Sequence, residues 1–551
     1  MFARSSTTWR ISKYYRKPPL IMLDLDKRTE SLTASDVTEV TLPVIEASSI
    51  SNILQRLDNL GLQLSDDNIV NWLPDNRNHP RNWPLKRKLA NTACIFLLDT
   101  FSALLESGGL IAATQAAAEY GISQTQSLLA FSLMYGIGEA LGSIVFPPYS
   151  EAFGRKPILI CAALFLPISC LITGLVPSIA GAYAGRFIMG ATASVPATVI
   201  VGSLEDMWDP TTQGHAIYAW VLSAGLGVAL GPIYGAYITS VLGWRWLYHI
   251  GAIISFCVFV LLLLGISETR PSKLLGNHLI AVQSYAGNIK LRTKTADDHV
   301  PDFRIFCQSA IILPAKLFFQ EPIVFTMATL SAIAFSLVFL FTEALDVVFK
   351  PYGFTQTSYS LAFVAYVIGM ACGIPIRLLE FRHLEKRAET KQLEPEDKII
   401  GFATGAPALA AGLWLMAWTT PPLVHGIDWV VPMIGLAGAG FAANEIEYAL
   451  GNYLADTYTV YASSAFAAYS TVRAILSGLF PLFAKQMYNG LGSNVAGSIL
   501  AGVATLWLVS PYIFMKYGKR LREKGRFAKL SLEVDQDPQT AGSGVLETQI
   551  C

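Results

Sequence analysis

Asp99 and Glu106 stand two helical turns apart in a stretch that is otherwise apolar. On a helix that spacing puts both acids on one face, and Ser102, Gly109 and Ala113 continue it as a polar, small stripe. Ser132, Gly136, Glu139 and Ser143 repeat the pattern in the next apolar stretch. Two such stripes facing one another describe a water-accessible cavity. The competing reading is that one or two of these acids only make interhelical hydrogen bonds. A carboxylate withdrawn from water holds its proton closer to neutral pH than a solvated one. It can therefore exchange that proton as its site changes sides, which is what proton coupling requires. Asp99, Glu106 and Glu139 are the candidates, with Asp99 also near enough to the inner interface to be solvated there. Arg186 and Arg473 fall within apolar stretches as well. Arginine keeps its proton, so each needs an acid, a group of backbone carbonyls or an anionic substrate beside it. For Arg473 structural pairing is the leading reading. Glu343 and Asp346 lie toward the outer end of a later stretch, and Asn444, Glu445 and Glu447 near the inner end of another. Solvation at a helix end is an equal alternative for these.

The elements that must hold these groups are membrane helices. The chain has 551 residues, 53% hydrophobic and only 15% charged, against about 25% charged in a soluble domain. Apolar stretches long enough to span recur near 89–113, 126–147, 157–177, 181–203, 215–239 and 247–267. They continue near 322–345, 358–376, 400–418, 428–450, 464–487 and 495–515. The expected fold is an all-α polytopic bundle of about twelve helices in two six-helix halves, as repeat-built transporters have. The expected division is a disordered cytosolic tail over 1–85, halves over 86–267 and 322–515, a cytosolic loop over 268–321 and a cytosolic tail over 516–551. A short helix is foreseen near 50–64. Lys and Arg crowd one set of loops (Lys86 to Lys88, Arg155 and Lys156, Arg270 to Lys316, Arg377 to Lys398, Lys516 to Lys529), while the alternate set holds only Arg245, Lys350 and Lys485. That asymmetry places both termini in the cytosol. The basic first stretch has the composition of a transit peptide but reads more simply as a tail beside an anionic leaflet.

Several function classes fall away. Net charge is zero, without the basic excess of a nucleic-acid binder. The seven cysteines form no CxxC pair and no metal spacing. The histidines are dispersed, which argues against a membrane enzyme, and no phosphate-binding glycine loop supports ATP-driven pumping. No filter-like segment points to a channel. The fifth stretch reads Gly227-Val-Ala-Leu-Gly231-Pro232-Ile-Tyr-Gly235-Ala236, in which glycines four apart permit close helix approach and Pro232 removes a backbone hydrogen bond.

With these residues in view, about residues 82–530 resemble the major facilitator superfamily, and within it the fungal twelve-spanner drug:proton antiporters. The fifth stretch is similar to the antiporter signature GxxxGPxxGG, with Ala236 for the last glycine. Pro147 to Pro157 resembles the family loop GPLSExYGRRP, with Pro147 and Tyr149 replacing Gly and Leu. Arg186 and Gly190 match RxxxG, with Met189 in place of the usual Gln. Asp206-Met207-Trp208, Gly243-Trp244-Arg245-Trp246, Ser267 to Arg270, Pro395 to Lys398 and Asn452 to Tyr458 resemble further family segments, and Arg473 falls at the family's eleventh-span arginine. The resemblance implies a secondary transporter that exports a small organic compound in exchange for protons, drawing on the proton gradient without a cofactor. Its expected setting is the plasma membrane, as a monomer, with the small-molecule substrate and lipid as its only partners. It implies proton or cation contacts at Glu106 and Glu139, an outer gate shaped by Gly231 and Pro232, and a brace from Glu151, Gly154, Arg155 and Lys156. Proton-coupled uptake of a nutrient, or polyamine transport, is the alternative.

Overall fold

Hydrocarbon offers a spanning backbone no partner but itself, so each apolar stretch closes its own hydrogen bonds as a helix. The computed structural model describes residues 55–65, 69–283, 292–293, 307–391, 393–424, 426–459 and 461–536. The first six spans are α1 (Leu85–Tyr120), α2 (Gln124–Phe153), α3 (Arg155–Leu175), α4 (Ile179–Met207), α5 (Pro210–Val241) and α6 (Trp244–Gly265). The second six are α7 (Pro322–Phe349), α8 (Phe363–Ala388), α9 (Ile400–Thr419), α10 (Val430–Thr457), α11 (Ala462–Leu491) and α12 (Ser493–Lys524). Among the described residues eleven helices are long and apolar enough to cross a membrane. The twelfth, α10, falls short because Asn444, Glu445 and Glu447 dilute its apolar run. It nevertheless packs between α8, α9 and α11 like its neighbours.

The packing repeats. α1 lies along α5 as α7 lies along α11, α2 along α4 as α8 along α10, and α3 along α6 as α9 along α12. The apolar stretches of α1 and α7 are each 72% buried, whereas that of α12 is 22% buried and turns residues such as Leu506 outward. The inner helices therefore carry the polar stripes and the outer ones meet lipid. The end where α1 begins and α12 finishes carries the lysines and arginines and is called the basic end below.

The expectation of a disordered tail over 1–85 is corrected for its latter part; residues 1–54 lie outside the described ones. Residues 55–59 are helical, and β1 (Leu62–Leu64) pairs antiparallel with β2 (Ile69–Trp72). β2 in turn pairs parallel with β3 (Arg292–Thr293) of the loop joining the halves. Leu57, Leu62 and Val70 bury themselves against Leu275 and Val282 of the helix Pro271–Gln283. Those partners lie some two hundred residues away, so no local pattern announced them. Trp72 Nε1 also donates to the Pro271 carbonyl at 3.3 Å. The loop over 268–321 likewise contains helical turns over Cys307–Ile312 and Leu313–Gln320. The final tail begins later than 516, because α12 runs to Lys524 and a helix follows over Arg526–Gln536.

Candidate functional site

Close packing sets the frame. A Cβ on Gly231 would stand 2.0 Å from Ser107 Oγ and 2.6 Å from the Leu104 carbonyl. One on Gly227 would meet the Thr100 carbonyl at 2.3 Å, and one on Gly235 the Gly108 carbonyl at 2.6 Å. The GxxxGPxxG run is thus the seam of α5 on α1, with Pro232 inside α5. Both helices belong to the same half, so the seam's contacts hold that half together. What the seam does is fix the depth at which α1 presents Asp99 and Glu106.

Arg186 is corrected from the cavity to the scaffold. It has no exposed surface. Its Nε and one terminal nitrogen donate to the Phe131 carbonyl at 2.8 and 2.6 Å, and the other contacts run to the carbonyls of Leu105 and Glu106, both at 2.9 Å. The π-helical turn Leu129–Leu133 interrupts the ordinary helix register beside Phe131, which leaves that carbonyl available. Arg186 so ties α1, α2 and α4 together through backbone oxygen. Gly190 serves the same joint: a Cβ there would lie 2.0 Å from the Tyr135 carbonyl.

Between the halves lies a pocket of about 480 Å³ counting the solvent it opens onto, walled by Trp220, Gly225 and Val228 of α5, Phe335 and Val338 of α7, Tyr366 and Met370 of α8, Asn444 and Glu447 of α10 and Arg473 of α11. The Arg473 guanidinium donates to Glu447 at 3.0 Å and to Glu139 at 3.5 Å. It also sits over the Phe335 ring, 4.5 Å from the centroid. Ser331 donates to the other Glu447 oxygen and shares a hydrogen bond with Tyr469. Glu139 comes from the first half, while Arg473 and Glu447 come from the second. The ion chain therefore crosses the interface, and the second oxygen of Glu139 has no partner among the described residues. Asp99 accepts from Trp220 Nε1 at 2.7 Å and so backs the cavity through the indole. Glu106 is buried, its closest electrostatic neighbours being Glu139, Arg473, Arg186 and Asp99. Asp99, Glu106, Glu139 and Arg473 are thus brought into one cluster. Glu447, which the sequence reading left at a helix end, belongs to it too.

At the basic end, Gly154 takes a left-handed φ of 102° between α2 and α3. The Glu268 carboxylate fills the space beside it and accepts from the N–H groups of Arg155 (2.9 Å), Lys156 (3.1 Å), Thr269 and Arg270. An anion at a helix N-terminus is favoured by those free donors and by the helix dipole. The Arg155 side chain meets Asp206 at 3.4 Å and Ser150 at 2.8 Å. The acid of this brace is Glu268 with Asp206, whereas Glu151 is exposed on the last turn of α2. The second half repeats the arrangement: Lys398 pairs with Asp456, and Arg522 of α12 makes a two-point pair with Glu396.

A further network escaped the sequence reading. Arg377, expected in a loop, lies within α8 because that helix continues to Ala388; it is 1% exposed. It pairs with Glu380 at 2.6 Å and with Glu445, and rests on the Tyr448 ring. Tyr218 of α5 donates to Glu445 at 3.1 Å, and Tyr448 donates to the Gly214 carbonyl at 3.3 Å. Phe381 packs against both tyrosines. This cluster joins the halves between the cavity and the basic end. The one local signal was the three-residue spacing of Arg377 and Glu380.

Residues 94–481 match the sequence pattern of the Major Facilitator Superfamily. The chain is 31% identical to the efflux pump FUBT of Fusarium oxysporum, over 85% of this chain and 79% of that one. It is 28% identical to the multidrug transporter TPO1_2 of Candida glabrata, over 83% and 78%. Among solved structures, the human organic anion transporter MFSD10 shares the fold with a TM-score of 0.54 at 16% identity, covering 79% of this chain and all of that one. Two six-helix halves about a midplane cavity, with this match along most of the chain, make it a multi-pass membrane transporter, and it belongs to the major facilitator superfamily.

Proposed function

We propose that this chain exports a small organic compound, such as a drug, toxin or secondary metabolite, in exchange for protons. The reading sets it in the plasma membrane as a monomer, with both termini cytosolic and the proton gradient as its energy source. The Glu139–Arg473–Glu447 chain carries this reading. It gathers more acids than guanidinium groups, all with side chains 13% exposed or less, and a low-dielectric interior does not tolerate that surplus of charge. Protons or a cationic substrate make up the difference. Loading either one loosens Glu139 from Arg473, and with it one contact between the halves. That ties occupancy to the rocking motion that alternating access needs. The names of the relatives, efflux pump and multidrug transporter, support the outward direction.

Inverted vesicles from cells expressing the chain test this reading with a panel of lipophilic amines and neutral toxins. Accumulation under inside-acid conditions, lost on collapsing the gradient, is expected. Exit under the same gradient would instead establish uptake, and indifference to the gradient would remove proton coupling.

A further inference from the structure

At the end of the bundle opposite the basic loops lies a second pocket, about 470 Å³ counting the solvent it opens onto, whose wall includes Thr114 of α1, Thr342, Glu343 and Asp346 of α7, Tyr359, and Lys485 of α11. It shares no lining residue with the central cavity. Along α7 the two are consecutive: Val338 lines the first and Glu343 the second, about 8 Å further on at 1.5 Å per residue. Within the second cavity Lys485 lies 3.1 Å from Asp346, so these two charges answer one another. Glu343 is left over. It is 7% exposed, lines the cavity, and has neither a hydrogen-bond donor nor an ion-pair partner among the described residues.

A buried carboxylate without a partner is costly until a counter-charge arrives. A divalent metal is a poor occupant, because it takes six or more oxygen ligands or a dedicated cluster, and no group of three metal-binding side chains occurs among the described residues. Being open to solvent, the pocket can admit an organic cation. Its wall supplies Tyr359, whose hydroxyl can accept from an ammonium group. We propose that Glu343 is the anchor of a second ligand site that binds a protonated amine. A cationic substrate occupies it after leaving the central cavity and before leaving the protein. That place in the sequence of events rests on the export reading above, whereas amine binding does not.

The test is equilibrium binding of radiolabelled benzylammonium to the full chain in lipid nanodiscs, with benzyl alcohol as the neutral counterpart. The wild type is expected to prefer the ammonium. Glu343→Gln should weaken ammonium binding at least tenfold and leave the alcohol unaffected. Lys485→Met, at a partly exposed position that folding tolerates, should tighten ammonium binding severalfold because it removes the competing cation. Equal binding of ammonium and alcohol by the wild type overturns the proposal. So does a Lys485→Met protein with no gain, or a Glu343→Gln protein that melts like the wild type and keeps full affinity. Amine binding with this charge dependence in a chain that moves compounds inward would uphold the site and remove only the export reading.

Discussion

Replacing Arg473 by Met keeps much of the side chain's bulk and removes its charge, leaving Glu139 and Glu447 to face each other across the two halves. The structure sets the scale. At 3.0 Å from Glu447 and 3.5 Å from Glu139, Coulomb's law at an effective dielectric of ~20 gives about 5.5 and about 4.7 kcal/mol for the two attractions. Desolvation of three groups, each 13% exposed or less, offsets most of this. What unfolding measurements should detect is the cost of breaking a buried pair on one side, about 3–5 kcal/mol. Neutralising the acids as well, in Arg473→Met with Glu139→Gln and Glu447→Gln, should recover most of that loss, since no unpaired charge is then left. The assay is the unfolding free energy of purified protein in mixed micelles for the single, double and triple variants. The Glu447 coupling should exceed the Glu139 coupling by roughly 1 kcal/mol, following the two distances. If the triple variant is no more stable than Arg473→Met alone, the ion chain is not what holds the halves at this depth, and the argument fails.

Gly231→Leu should lower the melting temperature sharply and reduce export, because its Cβ would enter space held by Ser107 and the Leu104 carbonyl; overpacking of this kind costs at least about 1–3 kcal/mol, and a normal melting curve would contradict the seam. Glu268→Ala removes the acceptor for four backbone N–H groups, two at the start of α3 and two just before the helix Pro271–Gln283. It should cost about 1–2 kcal/mol, measured by unfolding in the same micelles. Tyr218→Phe deletes the bond to Glu445 between the halves, so a cysteine placed in the cavity should become more reactive from the basic side, and unchanged labelling would clear Tyr218 of a closing role. His79 gives a pH dependence outside the membrane. Burial, and then the Arg81 charge, lower its pKa below the ordinary 6.5, and its ring accepts from the Arg81 N–H at 3.2 Å. The folded cap favours neutral imidazole, so the stabilisation is present above about pH 6.5 and is lost as the pH falls through the lowered value. Amide protection over residues 69–82, taken relative to the intrinsic exchange rate at each pH, should fall on acidification in the wild type and not in His79→Gln.

Helix periodicity and hydropathy made the twelve spans legible, because the membrane forces each segment to declare itself. The polar stripes of α1 and α2 were readable for the same reason: an acid in an apolar run is costly and stands out, whether it serves a cavity or an interhelical hydrogen bond. Glu447 was obscured by its neighbours. Asn444 and Glu445 beside it shorten the apolar run of α10 and mimic a helix end, so only packing against α11 reveals that the segment is enclosed. For Arg186 the sequence left an acid, backbone carbonyls or an anionic substrate open as partners; the carbonyls are those of Leu105 and Glu106 in α1 and of Phe131 in a π turn that no residue pattern marks. Of the cap over 55–83 only the short helix was foreseen; the strands were not, because their apolar residues find their core in a distant loop.

The paired braces at the basic end are alike in geometry but not in exposure. The side chains of Arg155 and Asp206 are 13% and 16% exposed, those of Lys398 and Asp456 33% and 34%. Mobile ions screen solvent-facing charges beyond about 8 Å at physiological strength and spare enclosed ones. Raising ionic strength should therefore loosen the Lys398–Asp456 pair, while Arg155–Asp206 and the enclosed Arg522–Glu396 pair stay engaged. Corresponding pairs in the two halves then respond unequally to the same salt, according to how deeply each is set.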